Sequence, residues 1–251
     1  MKVFVDAYGD TAAVLIQLLV SSPVSDRQTV LVRTYDELNN KNLLNYLRIN
    51  RIEYTFDDYN TLKKRYKKSF DLVLSMFARV MIPKWVYADA FASINIHPSL
   101  LPKYKGCFSV PWAIINNEKV TGVTFHELND KFDEGKILKQ YTIDITDDDT
   151  AYTLYSKIQS VVIKEYLKTV QGAVDGTIKS YDQVNSSATY YPRRLPFDGY
   201  ICEEWNLRKI ERFIRAMIYP PHAPAKLYTP AGDVFITSLE AYISMLGAKI
   251  E

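Results

Sequence analysis

The residues with the clearest potential for chemistry are an amide and an imidazole, Asn95 and His97, and a carboxylate further along the chain, Asp133. Asn95 and His97 end a mostly apolar run that starts at Ala90, and Pro98 follows them. In an extended strand, residues i and i+2 point to the same side, so this spacing predicts that both side chains face one cleft. Two hydrogen-bond donors and a carboxylate that accepts a proton are the groups needed to move an acyl group onto an amine.

The first hundred residues alternate between strand and helix signals. Strands are predicted at 1–7, 29–33, around Tyr54, 71–76 and 92–96, and helices at 11–20, around 43–47 and at 83–88. This alternation predicts an α/β fold with a doubly wound, mostly parallel, Rossmann-like sheet. Pro98 is expected to end the last of these strands, at the edge where open α/β sheets bind their ligands.

The pattern changes after residue 120. Two strands, 120–127 and 137–145, are predicted on either side of a loop that contains Asp133. A long amphipathic helix follows over 150–169, and acidic residues directly before it are expected to cap its first turn. The loop between the two strands therefore has to bring its carboxylate to the end of the earlier strand.

A compositional shift after Gly176, towards polar residues and proline, predicts a domain boundary near residue 180. We expect a catalytic domain over 1–180 and a small α+β extension over 181–251. The extension is predicted to contain a helix at 206–218, which ends before a pair of prolines, and a β-hairpin at 225–237.

Composition limits the classes of function. The chain has 251 residues, of which 47% are hydrophobic and 24% charged, an ordinary globular balance with room for a sizeable core. A net charge of +2 gives no electrostatic case for binding nucleic acid. No apolar run reaches the ~18 residues of a membrane span and no signal-type segment is present, so no membrane partner and a cytoplasmic location are expected. Cys107 and Cys202 form no zinc motif, and no metal is expected.

A longer pattern surrounds the chemically interesting residues. Asn-x-His-x-Ser-Leu-Leu-Pro-x-Tyr-x-Gly extends from Asn95 to Gly106, and an Asp-x-Gly begins at Asp133. Gly-Val-Thr-Phe-His lies between them at 122–126. Together these segments resemble the formyltransferase family that uses 10-formyltetrahydrofolate. The resemblance implies the Rossmann-like formyltransferase sheet, N10-formyltetrahydrofolate as the co-substrate, and catalysis by Asn95, His97 and Asp133.

The chemistry of these three residues agrees with that resemblance. An amine that attacks a formyl carbon produces a tetrahedral oxyanion, to which protonated His97 and the Asn95 amide can donate. Asp133 can hold His97 in its charged form or accept the proton of the amine. His126 lies on a predicted strand with no acidic residue two positions away, and it is interpreted as structural.

The resemblance also implies a folate pocket. The loop after the predicted strand at 71–76 is similar to the family's loop whose backbone binds the pterin ring. Its contact positions are Arg79, Val80 and Met81, through main-chain groups. Asn129 and Asp130 belong to the segment that is expected to close the other side of the ring.

Three further segments, 106–113, 190–199 and 212–217, resemble the branch of this family that acts on nucleotide-linked amino sugars. Such a ligand needs cations for its diphosphate and aromatic rings to stack on its base. The candidates for substrate binding are Tyr104, Lys105, Trp112, Tyr191, Arg193 and Arg194.

The resemblance implies transfer of a formyl group to the amine of a nucleotide-linked amino-dideoxyhexose, in the synthesis of lipopolysaccharide O-antigen. The favoured acceptor is dTDP-4-amino-4,6-dideoxyglucose, with GDP-perosamine as the alternative, because sequence alone does not separate these two. Members of this branch commonly form dimers, so a homodimer through the predicted hairpin is expected. A folate-binding protein without turnover and a formyltetrahydrofolate hydrolase are the alternatives of another class.

Overall fold

A seven-stranded sheet forms the centre of the fold. The computed structural model describes residues 1–25, 27–36, 40–66 and 70–248. The strands of this sheet are β1 (Val3–Ala7), β2 (Val30–Arg33), β3 (Glu53–Thr55), β4 (Leu72–Met76), β5 (Ala92–His97), β7 (Val120–Glu127) and β8 (Ile137–Asp144), in the order β3-β2-β1-β4-β5-β7-β8. β3, β2, β1, β4 and β5 pair in parallel, and β7 runs antiparallel to β5. The predicted doubly wound, mostly parallel sheet is therefore confirmed.

Helices and two small sheets complete the described chain. The helices are α1 (Asp10–Val20), α2 (Lys41–Ile49), α3 (Tyr59–Arg65), α4 (Lys84–Tyr87), α5 (Ser109–Ile115), α6 (Ala151–Val174), α7 (Leu207–Met217) and α8 (Leu239–Ala248). The small sheets pair β6 (Lys105–Gly106) with β9 (Tyr190–Tyr191), and β10 (Ala225–Thr229) with β11 (Gly232–Ile236). The predicted C-terminal hairpin is confirmed. Along the described ranges, no helix has the length and apolar character needed to cross a membrane.

The described residues cluster into two compact units, each assembled from separate stretches of chain. The first contains Met1–His97, Val123–Tyr141 and Gln159–Ser186. The second contains Pro98–Gly122, Thr142–Ile158 and the chain from Ser187 onwards. The domain boundary near residue 180 remains a prediction.

The core of the first unit explains why its central strands are mostly apolar. Every residue of β1 and of β4 is buried, as expected for parallel strands that are covered on both faces. Phe4 and Val73 from these strands pack with Leu62 and Val86 in one apolar cluster. Ile82, in the loop that follows β4, belongs to the same cluster and anchors that loop to the core.

Candidate active site

The end of β5 presents the predicted amide and imidazole. Asn95 is paired across the sheet with Ser75 of β4 and with His126 of β7, so its backbone is fixed from both sides. His97 stands two residues later in the same strand and is 5% exposed. Both side chains lie on one side of the strand, as the spacing predicted, because alternate residues of a strand share a face.

The turn that carries Asp133 follows β7 and has a constrained backbone. Asp133 has a φ of 55°, in the left-handed region that is uncommon for residues other than glycine and that aspartate and asparagine adopt more often than most. Two residues later, a Cβ added to Gly135 would lie 1.7 Å from the carbonyl oxygen of Glu127. A side chain cannot fit there, which gives a physical reason for the glycine of the Asp-x-Gly motif.

The structure brings the three predicted catalytic residues together. Asp133 Oδ2 lies 3.4 Å from His97 Nδ1, and the Asn95 amide nitrogen donates to Asp133 Oδ1 at 3.3 Å. The side chains of both His97 and Asp133 are at least nine-tenths buried, so little solvent screens the charge between them. A carboxylate at this distance favours the protonated form of an imidazole.

A fourth side chain, His126, joins this cluster, although no acidic residue lies two positions away from it in the chain. Its Nε2 lies 3.4 Å from Asp133 Oδ1 and 2.9 Å from the Asn95 amide nitrogen. The acidic neighbour of His126 is thus distant in sequence, and its interpretation as a structural residue remains a prediction. Only the register of β5 against β7 brings His126 opposite Asn95, and that register is not visible in the sequence.

His126 also determines how the Asn95 amide is oriented. Its Nδ1 lies 2.8 Å from the main-chain oxygen of Glu127, and a carbonyl oxygen only accepts, so Nδ1 carries the hydrogen. In the neutral imidazole, Nε2 is then an acceptor, and the Asn95 amide nitrogen donates to it. The second amide hydrogen points to Asp133 at the longer distance of 3.3 Å. This weaker bond is the one that an oxyanion would replace.

Gln183 is a second residue that the sequence analysis missed. Its Nε2 donates to the main-chain oxygens of Asp133 and Gly135, both at 2.8 Å, and so clamps the turn from outside. Its Oε1 is buried without a hydrogen-bond partner among the described residues. A contact between residues 50 positions apart has no local sequence signal.

We expect the Gln183→Ala variant to lower kcat about tenfold, because loss of the clamp lets the Asp133 carboxylate move away from His97. Gln171→Ala is the matched control, since the Gln171 side chain donates to the exposed Asp175 at 2.7 Å, away from the turn. Steady-state kinetics of both variants, with thermal unfolding to verify folding, measure the effect. Equal kcat values in Gln183→Ala and wild type would contradict a positioning role.

The two predicted folate-binding segments also lie close together. The hydroxyl of Tyr87, on α4, donates to Asp130 Oδ1 at 3.2 Å, and Leu128 packs against the cluster that contains Ile82. Asn129 stabilises its own turn by accepting from the main-chain N–H of Lys131 at 3.1 Å.

Exposed apolar side chains stand on both of these segments. Val80 is 42% exposed and Met81 44%, and Phe132 on the other segment is 53% exposed. Apolar side chains on two neighbouring loops offer surface that a flat aromatic ligand such as a pterin ring can cover. Binding through main-chain groups at Arg79, Val80 and Met81 remains a prediction.

The second unit contains the residues predicted to bind the substrate. The Tyr191 ring stacks on Tyr104, with ring centroids 5.6 Å apart, and on Trp112, with centroids 4.5 Å apart. Tyr104 is buried, and its hydroxyl donates to Glu118 at 2.9 Å. These three rings thus pack on one another.

The predicted cations differ in their surroundings. Lys105 is buried on β6, whereas Arg193 and Arg194 are exposed in the loop after β9. Arg194 forms a two-pronged ion pair with Asp198, whose shorter bond joins Nη2 to Oδ2. The pair lowers the pKa of the Asp198 carboxyl.

A cleft of about 470 Å³ in the second unit brings Arg194 and Trp112 to one site. Its other lining residues are Pro192, Leu195, Phe197, Asp198, Tyr200, Ile201 and Cys202. The indole N–H of Trp112 is buried and has no acceptor among the described residues, which is unusual for a buried donor. The volume is in the range of small-molecule sites. No metal-binding group of three or more His, Cys, Asp or Glu was found within the described ranges.

Comparisons with known proteins match this chain over most of its length. A family model described as "Formyl transferase" matches residues 54–170. GDP-perosamine N-formyltransferase of Brucella melitensis is 33% identical over 250 residues, which cover 98% of this chain and 95% of that protein.

Solved structures give a similar result. The N-formyltransferase from Helicobacter canadensis, in complex with folinic acid and dTDP-3-aminofucose, has a TM-score of 0.72 at 25% identity, over 87% of this chain and 81% of that chain. A 4-N formyltransferase from Francisella tularensis shares the fold, with a TM-score of 0.76 at 21% identity, over 94% of this chain and 96% of that chain.

Proposed function

Because the chain belongs to the formyl transferase family, and within it to the sugar N-formyltransferases, we propose that it formylates the amino group of GDP-perosamine with N10-formyltetrahydrofolate as donor. The observation that carries the proposal is the cluster in which Asp133 lies 3.3 Å from the Asn95 amide and 3.4 Å from His97. The likeness to a GDP-perosamine N-formyltransferase over 98% of this chain supports that acceptor.

The proposed reaction uses the cluster in two steps. The sugar amine attacks the formyl carbon, and the formyl oxygen becomes an oxyanion that accepts hydrogen bonds from protonated His97 and from the Asn95 amide. One such donor typically lowers the barrier by about 3 kcal/mol. Asp133 takes a proton from the attacking nitrogen, directly or through a water molecule. The bond from the formyl carbon to N10 then breaks, N10 takes the proton that Asp133 accepted, directly or through water, and the products are a formamide and tetrahydrofolate.

The formyl donor is proposed to bind at the two segments on either side of the Tyr87–Asp130 hydrogen bond. The exposed Val80, Met81 and Phe132 side chains support this assignment, because they provide apolar surface on both segments. Arg79, Asn129 and Asp130 are the polar members of the proposed pocket. Recognition through the main chain would leave binding tolerant of side-chain changes at positions 79–81.

The nucleotide is proposed to bind in the cleft lined by Trp112 and Arg194. The guanidinium group of Arg194 can pair with a phosphate, and the Trp112 ring lines the same cleft. Tyr104, Lys105, Tyr191 and Arg193 are the remaining proposed contacts.

The proposal also includes a homodimer that forms through the exposed Tyr228 and Phe235 of the hairpin. It further includes a cytoplasmic location and a role in O-antigen synthesis.

A dTDP-linked amino sugar is the second candidate acceptor. The Helicobacter canadensis N-formyltransferase, at 25% identity over 87% of this chain, was solved with dTDP-3-aminofucose. This likeness is weaker than the one at 33% identity over 98% of the chain, which is why dTDP-4-amino-4,6-dideoxyglucose now follows GDP-perosamine. A folate-binding protein without turnover would have no need for a buried base between two donors.

The test is a transfer assay with N10-formyltetrahydrofolate against GDP-perosamine and dTDP-4-amino-4,6-dideoxyglucose, followed by mass spectrometry of the sugar. We expect one formyl group on GDP-perosamine, with kcat/KM about tenfold or more above the dTDP-linked sugar. A preference for the dTDP-linked sugar would reverse the order of the two acceptors. Formate release without a formylated sugar would contradict the proposal and favour a hydrolase.

Two arginine variants test the nucleotide cleft in the same assay. Arg194→Ala is expected to raise the KM of the acceptor about tenfold, because a charge-assisted bond to phosphate is lost. The control is Arg208→Ala, since Arg208 is exposed on α7 and lines a separate cleft of about 540 Å³. An equal rise of the acceptor KM in both variants would indicate a general effect of the lost positive charge and would contradict nucleotide binding in the cleft.

A further inference from the structure

A buried carboxylate, Asp6, lies at the end of β1 and takes no part in the chemistry described above. It is completely buried and has three side-chain partners. Arg33 donates to its Oδ2 at 3.0 Å, Tyr35 donates to its Oδ1 at 3.0 Å, and Tyr59 makes a short hydrogen bond to Oδ2. Burial raises the pKa of Asp6, against the opposing effects of Arg33 and the two tyrosines. A buried charge with this many partners forms a rigid centre.

The surroundings of Arg33 make this centre more rigid. Its Nε donates to the main-chain oxygen of Asp57 at 3.0 Å, and its guanidinium lies 4.8 Å from the ring centroids of both Tyr35 and Tyr59. Cations over aromatic faces are stabilised further when they are shielded from water. The Tyr35 side chain is thus held through its hydroxyl and through its ring.

Tyr35 connects this centre to the loop after β4. While its hydroxyl donates to Asp6, the same oxygen accepts from the main-chain N–H of Arg79 at 2.9 Å. The Arg79 guanidinium lies 5.1 Å from the ring centroid of Tyr8, and Tyr8 meets the Tyr35 ring edge-on at 5.8 Å. Burial, followed by the charge of Asp6, raises the pKa of Tyr35 to about 12, so the phenol keeps the hydrogen that it donates.

We propose that Tyr35 is a positioning residue that fixes the formyl-donor loop through the N–H of Arg79 and thereby sets the affinity for the donor. The hydrogen bond determines the orientation of the peptide group between residues 78 and 79. The carbonyl group of Arg79 and the main-chain groups of Val80 and Met81 are then those proposed to bind the pterin ring, and the inference rests on that part of the proposed function. Without the hydroxyl, the Arg79 N–H and one oxygen of Asp6 lose a partner, and the loop must reorganise on binding.

The experiment compares Tyr35→Phe with wild type and with the control Tyr54→Phe. The Tyr54 hydroxyl accepts from Arg48 Nε at 3.0 Å on the surface of the same unit, so the control deletes a comparable group away from the loop. The dissociation constant of 5-formyltetrahydrofolate, a non-transferring analogue, is measured by calorimetry without sugar present. We expect it to rise about tenfold in Tyr35→Phe, as does the KM of the formyl donor, while kcat and the acceptor KM stay at the wild-type values.

Hydrogen exchange provides a readout that does not depend on turnover. Amides of the 77–82 segment should exchange faster in Tyr35→Phe than in wild type, and at the wild-type rate in Tyr54→Phe. An unchanged dissociation constant in Tyr35→Phe, or an effect on kcat alone, would overturn the inference. If wild type binds the analogue but formylates no sugar, the proposed acceptor fails, whereas weaker binding by Tyr35→Phe would still support the role of Tyr35.

Discussion

Replacing Asp133 with asparagine is expected to lower kcat by about 10²- to 10⁴-fold while the protein stays folded. The amide has the shape of the carboxylate but carries no charge and accepts no proton. His97, 3.4 Å away, would lose the charge that favours its protonated form, and the attacking amine would lose its base. Two functions therefore disappear with one substitution, which makes this the largest effect expected in the chain.

The measurement is single-turnover transfer with both substrates in excess of their dissociation constants. Asp182→Asn is the matched control, because Asp182 is exposed and pairs with Lys136 at 3.7 Å on the surface of the same unit. Surface pairs of this kind contribute little to stability. If the Asp133→Asn variant keeps the wild-type kcat, Asp133 transfers no proton in the reaction and its role is limited to the structure of the turn.

Replacing His97 with alanine should lower kcat by about 10²- to 10³-fold, because the oxyanion loses one of its two donors. Donor binding should stay at the wild-type level, since His97 lies on β5 and the proposed folate contacts lie on other segments. His222→Ala serves as the control, because that imidazole is exposed beside the Tyr219 ring.

His126 is the alternative to His97 as the histidine that donates to the oxyanion. Its Nε2 is as close to Asp133 as His97 is, at 3.4 Å. If His97→Ala keeps wild-type turnover and the double variant His97→Ala/His126→Ala loses it, His126 is the donor. We expect instead that His97→Ala alone loses activity, because His126 is occupied by the Glu127 oxygen and by the Asn95 amide.

The sequence predicted those parts of the site that local geometry controls. Asn95 and His97 share a face because a strand repeats every two residues, and this needs no tertiary information. Asp133 was a candidate from its residue type, but its place beside His97 could not be predicted from local geometry, since it depends on a turn with a φ of 55°. His126 and Gln183 were missed because their contacts span 31 and 50 residues and depend on strand pairing and on the path after α6.

Helix prediction failed where the local signals conflict. α5 includes Pro111 and starts after Phe108, which has a φ of 58°, and the Gly106-Cys107-Phe108 segment before it resembles a loop. Packing overrides these signals, because Val110, Ala113 and Ile114 are all buried. α6 extends five residues beyond the predicted end at residue 169, to Val174. The end of a helix depends more on packing against neighbouring elements than on the helix propensity of its last residues.

The aromatic candidates show a similar effect of packing. Tyr104, Trp112 and Tyr191 were predicted to stack on a base, and in the structure the Tyr191 ring stacks on the other two. Large rings gain from burial whichever partner covers them, so sequence alone cannot distinguish a ligand from a neighbouring side chain. The orphan N–H of Trp112 is the observation that separates this ring from the other two.

The close approach of Gly135 to the Glu127 carbonyl oxygen limits how this enzyme can be re-engineered. A library that randomises position 135 would contain almost no functional clones, because even a methyl group would lie 1.7 Å from that oxygen. Gly9 differs, since a Cβ there would meet no atom within 4 Å and only the backbone strain at its φ of 83° opposes a side chain. Directed evolution towards a new amine acceptor should therefore leave this turn untouched and place its diversity in the cleft of the second unit.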